Sequence, residues 1–170
     1  GINAGYPSSR YSLSCMVIGS EGDDMQRDYA YTVDRQAPLL KSAVSVGQEA
    51  AKATVERLGA RKINTANVPV ILHRDIASSL FGHYVGAISG GSLYRRSSFL
   101  LDSLGKQIFP EWLNIEERPF IKAGLASSSF DNEGVACSDM TIVDAGCLAT
   151  YLYTTYSSRK LNTKSNGHAG

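Results

Sequence analysis

Three histidines and three cysteines are the residues through which this chain could hold a metal or attack a substrate. His83 sits inside ASSLFGHYVGAISGG, residues 77–91, which reads as a helix running to a glycine pair. A helical histidine becomes part of a metal site when a second ligand stands one turn away. His73 lies ten residues earlier, about 15 Å along a continuous helix at 1.5 Å per residue, too far to share an ion. The zinc-helix pattern HExxH ending at His83 needs a histidine where Ser79 stands. The longer HExxxH needs a histidine and a glutamate at the places of Ser78 and Ser79. Neither hydroxyl is a usual zinc ligand, and no carboxylate is there to activate water. The helix offers one ligand of a site that needs three.

Nucleophilic chemistry finds little better support. Cys15, Cys137 and Cys147 are odd in number and widely spaced, with no CxxC pair; they read as reduced thiols of a cytosolic protein, not as a disulfide framework. No GxSxG elbow occurs. GAISGGS, residues 86–92, has neither the Walker lysine nor the GxGxxG register. Tyr94, Arg95 and Arg96 open the run YRRSS, where adjacent arginines could grip a carboxylate or a phosphate. More often such a pair is a solvated turn or an interface contact. A second basic cluster, SSRK at 157–160, is equally small. With a net charge of +1 there is no basic stripe to hold nucleic acid. No apolar run approaches the ~20 residues that span a bilayer.

The elements that must carry these residues follow from periodicity. Residues 10–18 and 25–34 alternate, with SEGDD between them, which predicts a hairpin with a loop of roughly five residues. A helix is predicted over about 37–58, with Leu40, Val44, Gly47, Ala51, Val55 and Leu58 on one face. VPVILHR at 68–74 reads as a short apolar strand that includes His73. A second helix is predicted over about 76–89, capped by Asp75 and stopped at Gly90-Gly91. LNIEERP reads as a strand, AGLASSSFDNEGVA as a long loop, and 141–157 as β-rich runs around the turn signal DAG. Strands in hairpins with two main helices predict an α+β fold with a mostly antiparallel sheet. Its 170 residues are expected to form a single domain. The GINAGYPSS opening and the TKSNGHAG end suggest a piece of a longer protein.

GYPSSRYSLS, MQRDYAY, FGHYVGAISGGSLYRRSSFLLDSLGKQIFPEWL, FDNEGVA and YSSRKL together resemble the PmbA (TldE) branch of the TldD/PmbA family of bacterial peptide-maturation metalloproteases. The resemblance covers essentially the whole chain and implies most of the C-terminal domain of a longer protein. It also implies a cytoplasmic assembly with a TldD-like protease subunit, acting in proteolysis, peptide (microcin-type) maturation and antitoxin degradation. The TldD branch carries HExxxH and a later cysteine as its zinc site. That helix maps onto Ser78-Ser79-Leu80-Phe81-Gly82-His83, where only Gly82 and His83 match. The later cysteine would fall beyond Gly170, so Cys137 and Cys147 are not assigned to it. No cofactor is therefore expected in this chain; zinc is expected in the TldD-like partner.

Two functions follow as expectations. In the first, the chain is a non-catalytic peptidase subunit, with His83 kept for a structural hydrogen bond to a neighbouring loop. A sheet edge in one of the hairpins, 10–34 or 141–157, would bind an extended peptide. Tyr94, Arg95, Arg96, Tyr151 and Tyr153 are candidate contacts, with Tyr29, Tyr31 and Tyr156 beside them. In the second, the chain is a regulatory binding protein without peptidase activity, since the family also carries the label of a candidate modulator of DNA gyrase. Neither reading calls for a membrane or for direct contact with nucleic acid.

Overall fold

A computed structural model describes residues 3–170, which divide into two compact units, Asn3–Val68 and Pro69–Gly170. The fold is α+β, with one two-stranded and one three-stranded antiparallel sheet.

In the first unit, β1 (Tyr11–Glu21) and β2 (Asp24–Asp34) form a long hairpin that pairs Tyr11 with Asp34 and Glu21 with Asp24. The expected five-residue loop shrinks to Gly22-Asp23, because pairing continues to the end of each strand. Gly22 has φ 57°, a left-handed geometry that costs glycine nothing sterically. Leu13, Cys15 and Val17 point to the more buried face, and Met16, Ile18, Tyr29 and Tyr31 to the exposed one.

The long predicted helix breaks in two. Pro38 sits in a 3-10 turn, Ala37–Leu39, and α1 covers Ala43–Glu56 with the Ser42 hydroxyl accepting from Ser45 N at 3.1 Å. The predicted apolar face is also corrected. Val46, Ala50 and Thr54 are fully buried, whereas Val44 and Val55 are 68% and 63% exposed. Close approach decides this. A Cβ on Gly19 would lie only 3.2 Å from Thr54 Cγ2, and Thr54 Oγ1 donates to Val17 O at 3.2 Å and Ala50 O at 2.8 Å. The stripe of Val46, Ala50 and Thr54 lets the helix settle on both strands, while Val44 and Val55 face outward.

The predicted strand at 68–74 does not form; residues 60–73 carry no regular element. Pro69 has no N–H for a ladder, and Val68, Val70 and Ile71 are exposed.

In the second unit, α2 covers Arg74–Ala87 and α3 covers Gly90–Tyr94. Gly90 thus starts a helix instead of stopping one, with Ser89 Oγ accepting from Ser92 N. His73, expected on the strand, is instead the N-cap of α2, its Nδ1 accepting from Asp75 N at 3.4 Å. Strands β3 (Ile115–Glu117), β4 (Met140–Asp144) and β5 (Cys147–Leu148) follow in that spatial order. The DAG turn is left-handed at both Ala145 and Gly146, φ 42° and 77°, as a tight two-residue hairpin requires. The β-rich run beyond it does not continue as strand. Thr154 and Ser157 form a reciprocal capping box that starts helix α4, Thr155–Lys160. The core of this unit is Tyr84 of α2, its C-cap Ile88, Leu93, Leu100, Ile142, Val143, Leu148, Tyr151 and Leu152.

Candidate functional site

Helix α2 carries Ser78, Ser79 and His83, but only its last turns are anchored. Tyr84 and Ile88 are buried, while Ile76 and Leu80 are 59% and 55% exposed. Ser78 Oγ donates to Asp75 O at 2.8 Å and Ser79 Oγ to Ile76 O at 2.7 Å, each turned back onto its own helix. His83 is exposed and makes no hydrogen bond among the described residues, so the expected bond to a loop is corrected. A zinc ion would meet one imidazole and two hydroxyls already bonded to carbonyls, a donor set that does not fit it. Among the described residues no group of three or more His, Cys, Asp or Glu side chains is placed to hold a metal ion.

Tyr94, Arg95 and Arg96 lie where α3 meets α4. Gly90 makes that meeting possible: an added Cβ there would sit 2.7 Å from Ser157 Cβ. Main-chain bonds fix the approach, Gly90 N to Leu152 O at 2.7 Å and Leu152 N to Ile88 O at 3.1 Å. The rings of Tyr94 and Tyr156 then meet edge to face, centroids 5.6 Å apart. Arg95 Cζ lies 5.3 Å from the Tyr94 centroid and Lys160 Nζ 5.6 Å from the Tyr156 centroid. The Arg95 guanidinium, then the Tyr156 hydroxyl, holds the Tyr94 phenol below its ordinary range.

Tyr151 and Tyr153 do not join that cluster. Tyr151 is 6% exposed; its hydroxyl donates to Leu100 O at 2.5 Å and accepts from Ser103 N at 2.8 Å. Tyr153 is half-buried beside it, and burial pushes its phenol up.

One polar network escaped the sequence reading. His168 Nε2 meets Glu117 Oε2 and its Nδ1 lies 3.1 Å from Asn166 Oδ1, tying β3 to the C-terminal segment. Asp131 accepts from Glu133 N, Val135 N and Ala169 N, all at 2.9 Å. Burial alone would raise its pKa, but those N–H groups and the His168 charge bring it below the ordinary carboxylate range. The turn signal FDNEG could have revealed Asp131; nothing local marks a Glu117–His168 contact 51 residues apart in the chain. Cys137 lies near this network, its Sγ 3.7 Å from Gly167 O. Burial, with Glu117 and Asp131 adding to it, pushes its thiol up, opposite to what a nucleophilic thiolate needs. Cys15 and Cys147 are also free thiols, Cys147 Sγ lying 3.3 Å from Gln107 Oε1.

Comparison with known proteins bears on these sites. Residues 65–170 match the family model for the PmbA/TldA metallopeptidase C-terminal domain, and residues 1–58 match that for the central domain. The chain is 53% identical to Metalloprotease PmbA of Escherichia coli O157:H7 over 170 residues, all of this chain and 38% of that protein. A crystal structure from Bacteroides thetaiotaomicron VPI-5482, described as a candidate modulator of DNA gyrase, superposes with TM-score 0.88 at 26% identity, covering 95% of this chain and 37% of that one. TldE from Thermococcus kodakarensis shares the fold, with TM-score 0.66 at 18% identity, covering 93% and 36% of the two chains.

Proposed function

The chain belongs to the PmbA/TldA metallopeptidase family, and from that premise we propose that it serves a cytoplasmic peptidase complex as a non-catalytic subunit. A TldD-like partner supplies the zinc and the cleaving chemistry, and the assembly acts in proteolysis and microcin-type peptide maturation. One observation carries this reading: α2 offers a single imidazole, and the hydroxyls of Ser78 and Ser79 bond to its own carbonyls. This chain's part is to pair with the catalytic subunit and to help hold the substrate.

An exposed strand edge suits an extended peptide, which adds main-chain hydrogen bonds to a ladder. The β1–β2 sheet has only two strands among the described residues, with Tyr29 and Tyr31 stacked at 6.2 Å on its exposed face. In the other sheet β5 is less available, because Gly105 N donates to Leu148 O at 2.8 Å and Leu148 N to Lys106 O at 3.1 Å. The description of the Bacteroides structure supports a second reading, a regulatory protein that binds gyrase.

The decisive experiment is hydrolysis of an unstructured peptide by the full-length protein, by its TldD-like partner, and by their mixture. Cleavage only by the mixture, abolished when the partner's zinc ligands are replaced, is the expected result. Chelator-sensitive cleavage by this protein alone would overturn the reading. Capture of gyrase without any TldD-like protein would favour the regulatory one.

A further inference from the structure

The interlocked cluster on α3 and α4 has a property that the peptidase reading leaves unused. Arg95, Arg96, Arg159 and Lys160 are exposed, and none has a carboxylate within ion-pair distance among the described residues. Some other cations of the molecule are neutralised locally, Lys41 by Glu49 at 2.6 Å and Arg57 by Asp28 at 3.1 Å; what sets this group apart is that its unpaired cations cluster on two interlocked helices beside aromatic rings.

Two of the four cations are also held in place. Arg95 lies over the Tyr94 ring and Lys160 over the Tyr156 ring, and the two rings brace each other. Arg95 further folds back across its own helix, where a Cβ on Gly91 would sit 3.5 Å from Nη2. Long basic side chains usually lose rotamer freedom when they bind. Here part of that ordering is done beforehand, and a ring quadrupole steadies each cation without neutralising it.

We propose that the α3–α4 surface formed by Tyr94, Arg95, Arg96, Tyr156, Arg159 and Lys160 docks an acidic, extended peptide segment. Carboxylates of the segment pair with the guanidinium and ammonium groups, and its main chain or apolar side chains lie across the tyrosine pair. Guanidinium groups favour carboxylates through paired N–H donors. An arrangement of cations alternating with aromatic rings reads a short acidic stretch better than a single anion. The inference rests on the accessory-subunit reading only in taking a peptide as the ligand, and it needs no cleavage to be observed.

The test is binding of a fluorescein-labelled ten-residue peptide containing four glutamates to the full-length protein, read by anisotropy. The same peptide with glutamine at those places and a ten-nucleotide single-stranded DNA serve as comparisons. We expect the glutamate peptide to bind at least about tenfold tighter than the glutamine peptide at low salt, and to weaken as salt rises. Arg95→Glu with Lys160→Glu should weaken it about tenfold or more, whereas Lys122→Glu, in an exposed loop, should leave it unchanged. If the double reversal unfolds the protein, Arg95→Gln with Lys160→Gln replaces it, with a loss of about threefold expected. Equal affinity for the two peptides, equal loss in Lys122→Glu, or tighter binding of the DNA would each overturn the proposal. None of these outcomes depends on a TldD-like partner, so failure here is distinct from failure of the peptidase reading.

Discussion

Helices α1 and α2 are both 14 residues long yet are held in opposite ways. α1 is buried along its whole length by a stripe of small residues, Val46, Ala50 and Thr54. α2 is anchored at its C-terminal end by Tyr84 and by the cap residue Ile88, while Ile76, Leu80, Phe81 and Val85 stay exposed. The more apolar helix is thus the less buried one. What anchors a helix is a surface shaped to receive it, and the compact stripe of α1 meets one at Gly19 and Val17. The chain spans 38% of the Escherichia coli relative, and Ser78, Ser79 and His83 lie on the exposed part of α2.

The sharpest way to break this comparison is to truncate α2 at its two ends. Ile88→Ala removes a fully buried side chain and should destabilise the protein by about 2–5 kcal/mol. Leu80→Ala, at 55% exposure, should change stability by less than about 0.5 kcal/mol. Thermal or denaturant unfolding compares the two; a loss at Leu80 matching that at Ile88 would show that the start of α2 is covered after all.

Tyr84 sharpens the same contrast from within the anchored end. Its hydroxyl is buried without a hydrogen-bond partner among the described residues, and its ring packs edge to face on Phe109 at 5.1 Å. Burial, with Tyr151 adding to it, pushes its pKa up to about 12. A phenol whose folded pKa exceeds its unfolded value of 10 gives stability that is fully present below pH 10 and lost as pH rises towards 12. Between those limits the protein should lose on the order of 2 kcal/mol more than Tyr84→Phe does. At neutral pH that variant should be as stable as the parent or more so, by up to about 1 kcal/mol. Denaturant melts at several pH values check both; parallel pH curves would mean that the hydroxyl reaches a proton acceptor or solvent.

Much of this was legible in the sequence because it is local. Alternation marked the β1–β2 hairpin, and the DAG turn marked β4 and β5. The failures share one physical cause, competition between local preference and packing. The α1 stripe was misread because Ala50 and Thr54 are weaker hydrophobic signals than Val44 and Val55, though they fit the sheet better. The apolar run at 68–72 reads as strand but finds no strand partner among the described residues. α4 was hidden in a tyrosine-rich run whose β preference is overruled by the Thr154–Ser157 capping box. The aromatic pair Tyr94–Tyr156 joins residues 62 positions apart by number, through a close approach at Gly90 that no periodicity announces.

Two histidines give the finest test of what was and was not visible. His83 was conspicuous in the sequence and stands exposed, whereas His168 was inconspicuous and joins Glu117 to Asn166 with a side chain only 13% exposed. Removing His168 leaves the partly buried Glu117 carboxylate without its partner, while Asn166 keeps its bonds to Tyr153 N and Tyr151 O, so His168→Ala should cost about 1–3 kcal/mol. His83→Ala removes no hydrogen bond and opens no cavity, so its effect should stay within about 0.5 kcal/mol. Side-by-side unfolding of the two variants, repeated with chelator present, decides the matter. A chelator-dependent loss at His83 would mean that the imidazole holds a metal with ligands from outside these residues, and the reading of α2 as a helix without a working zinc site would fall with it.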